Sequence, residues 1–117
     1  MAESLQIFKA ELFKALGHPS RIRILELLGD GEKSVGELQL GLGVEGSSVS
    51  QQLAVLRTKN LVATRKVGNV IYYRIHDPQV NSLLDVARGI FNAQLIQLQS
   101  LSHESPLDSR RIAAKRS

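Results

Sequence analysis

The 117-residue chain contains no cysteine. That absence excludes disulfides, thiolate metal sites, thiol redox switches and cysteine nucleophiles. Long hydrophobic runs are also missing: the apolar stretches are a few residues each, far short of the roughly 18–20 that a membrane helix needs. The opening Met1-Ala2-Glu3-Ser4 has no basic segment of the secretory kind, so a soluble, cytoplasmic protein is expected. There is no P-loop, dinucleotide fingerprint, hydrolase elbow or paired-carboxylate site, which argues against an enzyme, and there is no internal repeat. The chain does have a 43% hydrophobic fraction. That is enough for one core in a domain of ordinary size, although so small a monomer gains from association.

Acidic residues are missing from one long window. Residues 46–76 hold Arg57, Lys59, Arg65, Lys66 and Arg74 and no Asp or Glu. The net charge of the whole chain is +4, so this window is +5 and the remainder sums to −1. Clustered positive charge of this kind is the footprint of a partner with a phosphate backbone. The plain alternative is a solvated basic face.

Helical periodicity is clear in the first half. Leu5, Phe8, Leu12 and Ala15 or Leu16 recur at helical spacing over residues 4–16, and Gly17 ends that helix. His18-Pro19 opens a second helix, with proline at its first position. Ile22, Ile24, Leu25, Leu27 and Leu28 make it central, and Gly29-Asp30-Gly31 closes it. Ser34 and Glu37 have the spacing of a capping box for a third, short helix that turns Leu38 and Leu42 inward. Gly41-Leu42-Gly43 reads as a turn, and a fourth helix starts near Glu45. Val44 and Val49 have the spacing of a hydrophobic staple, and Val49, Leu53 and Leu56 form the buried stripe. Two short helices joined through a glycine-containing turn are a helix-turn-helix.

The period then changes. Ala63–Val67 and Val70–Ile75 flank Gly68-Asn69, a two-residue hairpin link. Ile71, Tyr73 and Ile75 are expected on the inner face. A hairpin directly after a helix-turn-helix is a wing. Asp77-Pro78 starts a last helix running to about Ser102. Its Leu83, Leu84, Ala87, Ile90, Phe91, Leu95, Leu98 and Leu101 form an apolar band too wide for the final element of a small monomer. Residues 1–102 are thus expected to form one domain. Residues 103–117 are rich in Ser, Arg and Ala and read as a disordered basic tail.

The chemistry of the fourth helix suits DNA. Gly46, Ser47, Ser48, Ser50, Gln51 and Ala54 are expected to face away from the core. Small side chains allow close approach, orphan N–H groups suit a phosphate, and Gln51 can pair with adenine. Arg57 is placed for a phosphate, and Arg65, Lys66 and Asn69 belong to the wing.

Three stretches carry a resemblance. They are Phe13-Lys14-Ala15-Leu16-Gly17-His18-Pro19-Ser20-Arg21-Ile22-Arg23-Ile24-Leu25, then Ser48-Val49-Ser50-Gln51-Gln52-Leu53-Ala54-Val55-Leu56-Arg57, then Gly68-Asn69-Val70-Ile71-Tyr72-Tyr73-Arg74. Together they resemble the ArsR/SmtB family of winged-helix repressors over about residues 5–100. The resemblance implies a mainly α fold with a small β-hairpin wing, a dimeric winged helix-turn-helix. It also implies a homodimeric repressor of a palindromic operator. Family base-reading positions fall on Ser47, Ser50 and Gln51, while Gly46 stands where the family often has Gln. Family dimers pack the first and last helices, which points to Leu5, Phe8, Leu12, Leu84, Ala87, Phe91, Leu95 and Leu98.

The same resemblance allows a test for metal sensing. The family's thiolate positions carry Ser34 and Gly36 here. Its zinc positions on the last helix carry Asp77, Gln79, Ile90 and Ala93, and the two apolar residues cannot ligate zinc. His18 and His76 sit at element junctions and read as structural. The expectation is a metal-independent regulator with no cofactor. The alternatives are a winged-helix protein-interaction module, or a sensor with an unusual dimer site at His103 and Glu104.

Overall fold

Several boundaries in the first half of the protein are set by a side chain or glycine that serves an orphan backbone group. The computed structural model describes residues 2–43 and 46–102. Helix α1 spans Ala2–Leu16 and α2 spans Pro19–Leu28. His18 caps α2, its Nδ1 accepting from the Ser20 N–H at 3.2 Å. Helix α3 covers Val35–Leu42 and α4 covers Gly46–Thr58. Ser34 and Glu37 form the expected capping box, each side chain receiving the other's backbone N–H at 3.2 and 3.0 Å. Gly41 and Leu42 remain helical, and the chain turns at Gly43, whose φ of +68° is open to glycine at little cost. The Val44–Val49 staple involves a position outside the described residues.

The core lies where α2, α3 and α4 meet. Ile24, Leu25, Leu38, Val49, Leu53 and Leu56 are almost completely excluded from solvent. Tyr73, Ile75, Val80, Leu83 and Leu84 pack against this cluster from later in the chain. The expected inner face of the hairpin thus holds for Tyr73 and Ile75 but not for Ile71, which is exposed. Ile71 sits beyond the reach of the core, opposite Lys66.

The hairpin is β2 (Val62–Val67) and β3 (Val70–Ile75), paired antiparallel from Val62↔Ile75 to Val67↔Val70. Gly68 supplies the positive φ, +60°, at the first turn position. A further strand was not expected: β1 (Lys33–Ser34) pairs with β3, giving the order β1-β3-β2. Two residues carry no period-2 signal. An N-cap residue is extended, so Ser34 (φ −81°, ψ 167°) pairs with Tyr72 and caps α3 at once.

Asn60 was also unexpected. It has a φ of 59°, and its N–H reaches Arg57 O while the Leu61 N–H reaches Leu56 O. These two bonds form a Schellman motif at the end of α4, with the buried Leu61 and Leu56 as its hydrophobic contact. The motif sets how the chain leaves α4 for the wing.

Helix α5 runs Gln79–Ser102, with Asp77 accepting the Gln79 N–H at 2.9 Å. The chain divides into two compact units after Leu84, so α5 begins in the first and continues through the second. The basic tail expected at 103–117 lies outside the described residues.

Ser34→Ala should lower the unfolding free energy by about 1 kcal/mol in urea titrations, through loss of the cap. The Ser34 backbone N–H, and next its hydroxyl, hold the Glu37 carboxyl below its ordinary range. The contribution of Glu37 is therefore full above that range and lost as pH falls through its lowered pKa. Glu37→Gln should flatten this part of the pH–stability curve.

Candidate nucleic-acid interface

Helix α4 divides its residues between two faces. Val49, Leu53 and Leu56 point into the core, while Ser50, Gln51, Ala54 and Thr58 are exposed. The exposed set recurs at i, i+1, i+4 and i+8, so it forms one stripe of short or polar side chains. The Thr58 hydroxyl bonds back to Ala54 O at 2.9 Å. Gly46 and Ser47 lie in the first turn of α4. Ser48 is half-buried, at the edge of the apolar stripe rather than on the outer face as expected. Arg57 is exposed in the last turn.

Arg21 anchors this helix. Its guanidinium donates from Nε to Ala15 O at 2.6 Å, and from one Nη to Lys14 O at 3.3 Å. The other Nη reaches Gln52 Oε1 at 2.9 Å. One planar group therefore joins the last carbonyls of α1 to a side chain of α4, next to the exposed Gln51. Sequence reasoning placed Arg21 only within a family signature. Its partners lie up to 31 positions away, beyond any local pattern.

The wing is less basic than its sequence. Arg65 and Lys66 are adjacent in a strand, so their side chains leave opposite faces of the hairpin. Lys66 is exposed and, among the described residues, is in no ion pair. Asn69 is exposed at the tip, with Val67 and Val70 beside it. Arg65 instead grips Glu32 with two donors: Nε at 3.2 and 3.1 Å, Nη2 at 2.7 Å. It also lies 5.7 Å from the centre of the Tyr72 ring. Arg74 stands 4.0 Å from the same carboxylate. The Arg65 hydrogen bonds, aided by the charges of Arg65 and Arg74, hold the Glu32 carboxyl below its ordinary range. Lys59 pairs with Glu11 at 3.2 Å. The window without acids is therefore met in space by two glutamates from outside it.

Two helices expose apolar side chains. On α1, Leu5 and Phe8 are open to solvent, as are Ile7 and Phe13, while Leu12 is half-buried against the core. Beyond Leu84, itself half-buried on the core, α5 exposes Ala87, Phe91 and Leu95 together with Val86, Ile90 and Ile96; Leu98 is half-buried.

Among the described residues, no three His, Asp or Glu side chains gather closely enough to hold a metal ion. Of the positions compared with family metal sites, Ser34 and Asp77 use their oxygens as helix caps. His76 is exposed, and its backbone N–H bonds Leu61 O at 3.1 Å. His103 and Glu104 lie outside the described residues. No helix among those residues is long and apolar enough to cross a membrane.

Comparison with known proteins bears on what this arrangement serves. Residues 18–64 match the model of the bacterial regulatory protein arsR family. The chain is 51% identical over 90 residues to the HTH-type transcriptional regulator Rv0081 of Mycobacterium tuberculosis, covering 76% of this chain and 79% of that protein. It is 40% identical over 85 residues to the biofilm growth-associated repressor of Xylella fastidiosa, covering 73% and 75%. The crystal structure of the M. tuberculosis protein superposes with a TM-score of 0.73 at 49% identity, covering 80% of this chain and 94% of that one. The homodimeric winged helix-turn-helix DNA-binding domain Mb0332 of Mycobacterium bovis gives 0.74 at 30% identity, covering 80% and 87%.

Arg21→Lys keeps the charge and loses the fork. It should cost about 1–3 kcal/mol of stability in urea titrations, because one ammonium cannot serve Ala15 O and Gln52 Oε1 together as the fork does.

Proposed function

Because the chain belongs to the ArsR family of bacterial transcriptional regulators, with a winged helix-turn-helix DNA-binding fold, we propose that it is a homodimeric repressor of a palindromic operator in the cytoplasm. The observation that carries this reading is the outer stripe of α4. Ser50, Gln51 and Ala54 are exposed on a helix whose opposite face is locked into the core. Such a surface fits a major groove, where Gln51 reads adenine and the serines accept or donate to base edges. Gly46, Ser47 and Ser48 bring the start of α4 close to the backbone, where its free N–H groups meet a phosphate. Arg57, Arg65 and Lys66 serve as phosphate anchors, and Asn69 contacts DNA from the wing tip.

The dimer is formed by the first and last helices. Leu5, Phe8 and Leu12 of α1, with Leu84, Ala87, Phe91, Leu95 and Leu98 of α5, cover one another across a twofold axis. Exposed Phe8, Phe91 and Leu95 support this, since apolar patches of this kind mark association surfaces. Residues 1–102 form the DNA-binding and dimerisation domain, with 103–117 as a basic tail. The regulator works without a metal or other cofactor: Ser34 and Asp77 are engaged as caps, and Ile90 and Ala93 offer no ligand atom.

Gel-shift titrations against the operator and a random duplex test base reading. Gln51→Ala should narrow the gap between the two by about 1–3 kcal/mol, whereas Lys66→Ala should weaken both about equally. Identical behaviour of the two variants would sink this division of labour. Zinc added to the same titrations should change nothing; stoichiometric zinc binding that releases the operator would overturn the metal-independent reading. Phe91→Asp should shift the protein from dimer to monomer in sedimentation, with loss of operator binding.

A further inference from the structure

Glu32 sits between two arginines that the hairpin places on one face. Ser34 pairs with Tyr72 on β3, and Arg65 pairs with Tyr72 from β2. The chain just before β1 therefore lies alongside Arg74 and within reach of Arg65. The Glu32 carboxylate takes both donors of the Arg65 fork, the shortest at 2.7 Å, and stands 4.0 Å from Arg74. A carboxylate gripped in this way offers what a backbone phosphate offers the same fork: two acceptor oxygens and one negative charge. The Arg65 and Arg74 side chains are about half exposed, at 55% and 49%, and Glu32 is 30% exposed. A second anion can approach this pair from solvent.

We propose that Glu32 is an internal competitor for phosphate: it occupies the wing arginines and sets how strongly the protein holds DNA of any sequence. This rests on the DNA-binding reading above. Affinity that does not depend on sequence comes from phosphate neutralisation and counterion release. An arginine already paired contributes only what remains after it has exchanged one anion for another. Surface ion pairs are weak, so the exchange is possible, and the glutamate lowers the gain without abolishing it. Base reading resides on α4, which contributes no residue to this cluster, and is left unchanged. The wing is thereby kept from holding random DNA as tightly as Arg65, Lys66 and Arg74 would if all three were unopposed.

The test is Glu32→Gln, which keeps a hydrogen-bond acceptor and removes the charge. Binding of the operator and of a random duplex is measured over a range of salt concentrations, alongside thermal unfolding of each protein. Both affinities should rise roughly two- to fivefold at low salt. The salt dependence should steepen by up to about one phosphate equivalent. The ratio of the two affinities should stay constant. In an Arg65→Ala background most of the Glu32→Gln effect should vanish, because the competed group is gone. An unchanged salt slope, or weaker binding by a variant that unfolds like the parent, would overturn the proposal and make Glu32 a brace for the wing. Failure of the parent to bind either duplex would overturn the DNA-binding reading, and this proposal with it.

Discussion

The Arg21 guanidinium resolves a conflict in the backbone. Helix α1 ends at Leu16, and after only two intervening residues the chain enters α2 through Pro19. The last carbonyls of a helix have no partner within it, and a proline has no N–H to give. Gly17 bonds one of them, Lys14 O, at 3.2 Å. Arg21 supplies further donors from the first turns of α2, bonding Ala15 O and Lys14 O together. Its remaining nitrogen holds Gln52 on α4. The end of α1, the start of α2 and the middle of α4 are thus fixed around one planar group. The apolar core fills the space that this fixes. It can be dense because Ile24 and Leu25 of α2 meet Leu53 and Leu56 of α4 at almost zero exposure.

Further along the chain, a series of terminations hands one element to the next. The capping box of Ser34 starts α3 and, in the same extended residue, ends the short β1. Asn60 closes α4 and aims β2, and Asp77 converts β3 into α5. Each device satisfies backbone groups that would otherwise be orphaned. Together they hold the outer stripe of α4 and the hairpin in one compact unit, which ends at Leu84, as a winged helix-turn-helix requires.

Most of the fold was legible because its signals are local. A capping box needs three residues' spacing, a helical stripe seven or eight, and a two-residue hairpin link sits between its own strands. The misses have specific causes. β1 is too short for alternation to show, and its partner is β3, far along the chain. Asn60 carries little local signal, because asparagine is a weaker sign of positive φ than glycine. Ile71 alternates correctly with Tyr73 and Ile75, yet the core ends before it. Ser48 lies on the boundary between two faces, where a helical wheel does not discriminate.

The electrostatic picture divides in the same way. Sequence alone determined the order of the helices and the hairpin, the caps at Ser34 and Asp77, the buried stripe of α4 and the excess of positive charge over residues 46–76. Each depends on neighbours within one or two turns of chain. Tertiary structure alone decided what that charge meets. Glu32 lies 33 positions from Arg65 and Glu11 lies 48 from Lys59, and the fold brings each pair to within 3.2 Å or closer. Charge pairs across such separations exist only once the core has set the distance between elements. The stretch without acids is a property of the sequence, whereas the partly neutralised wing is a property of the folded molecule.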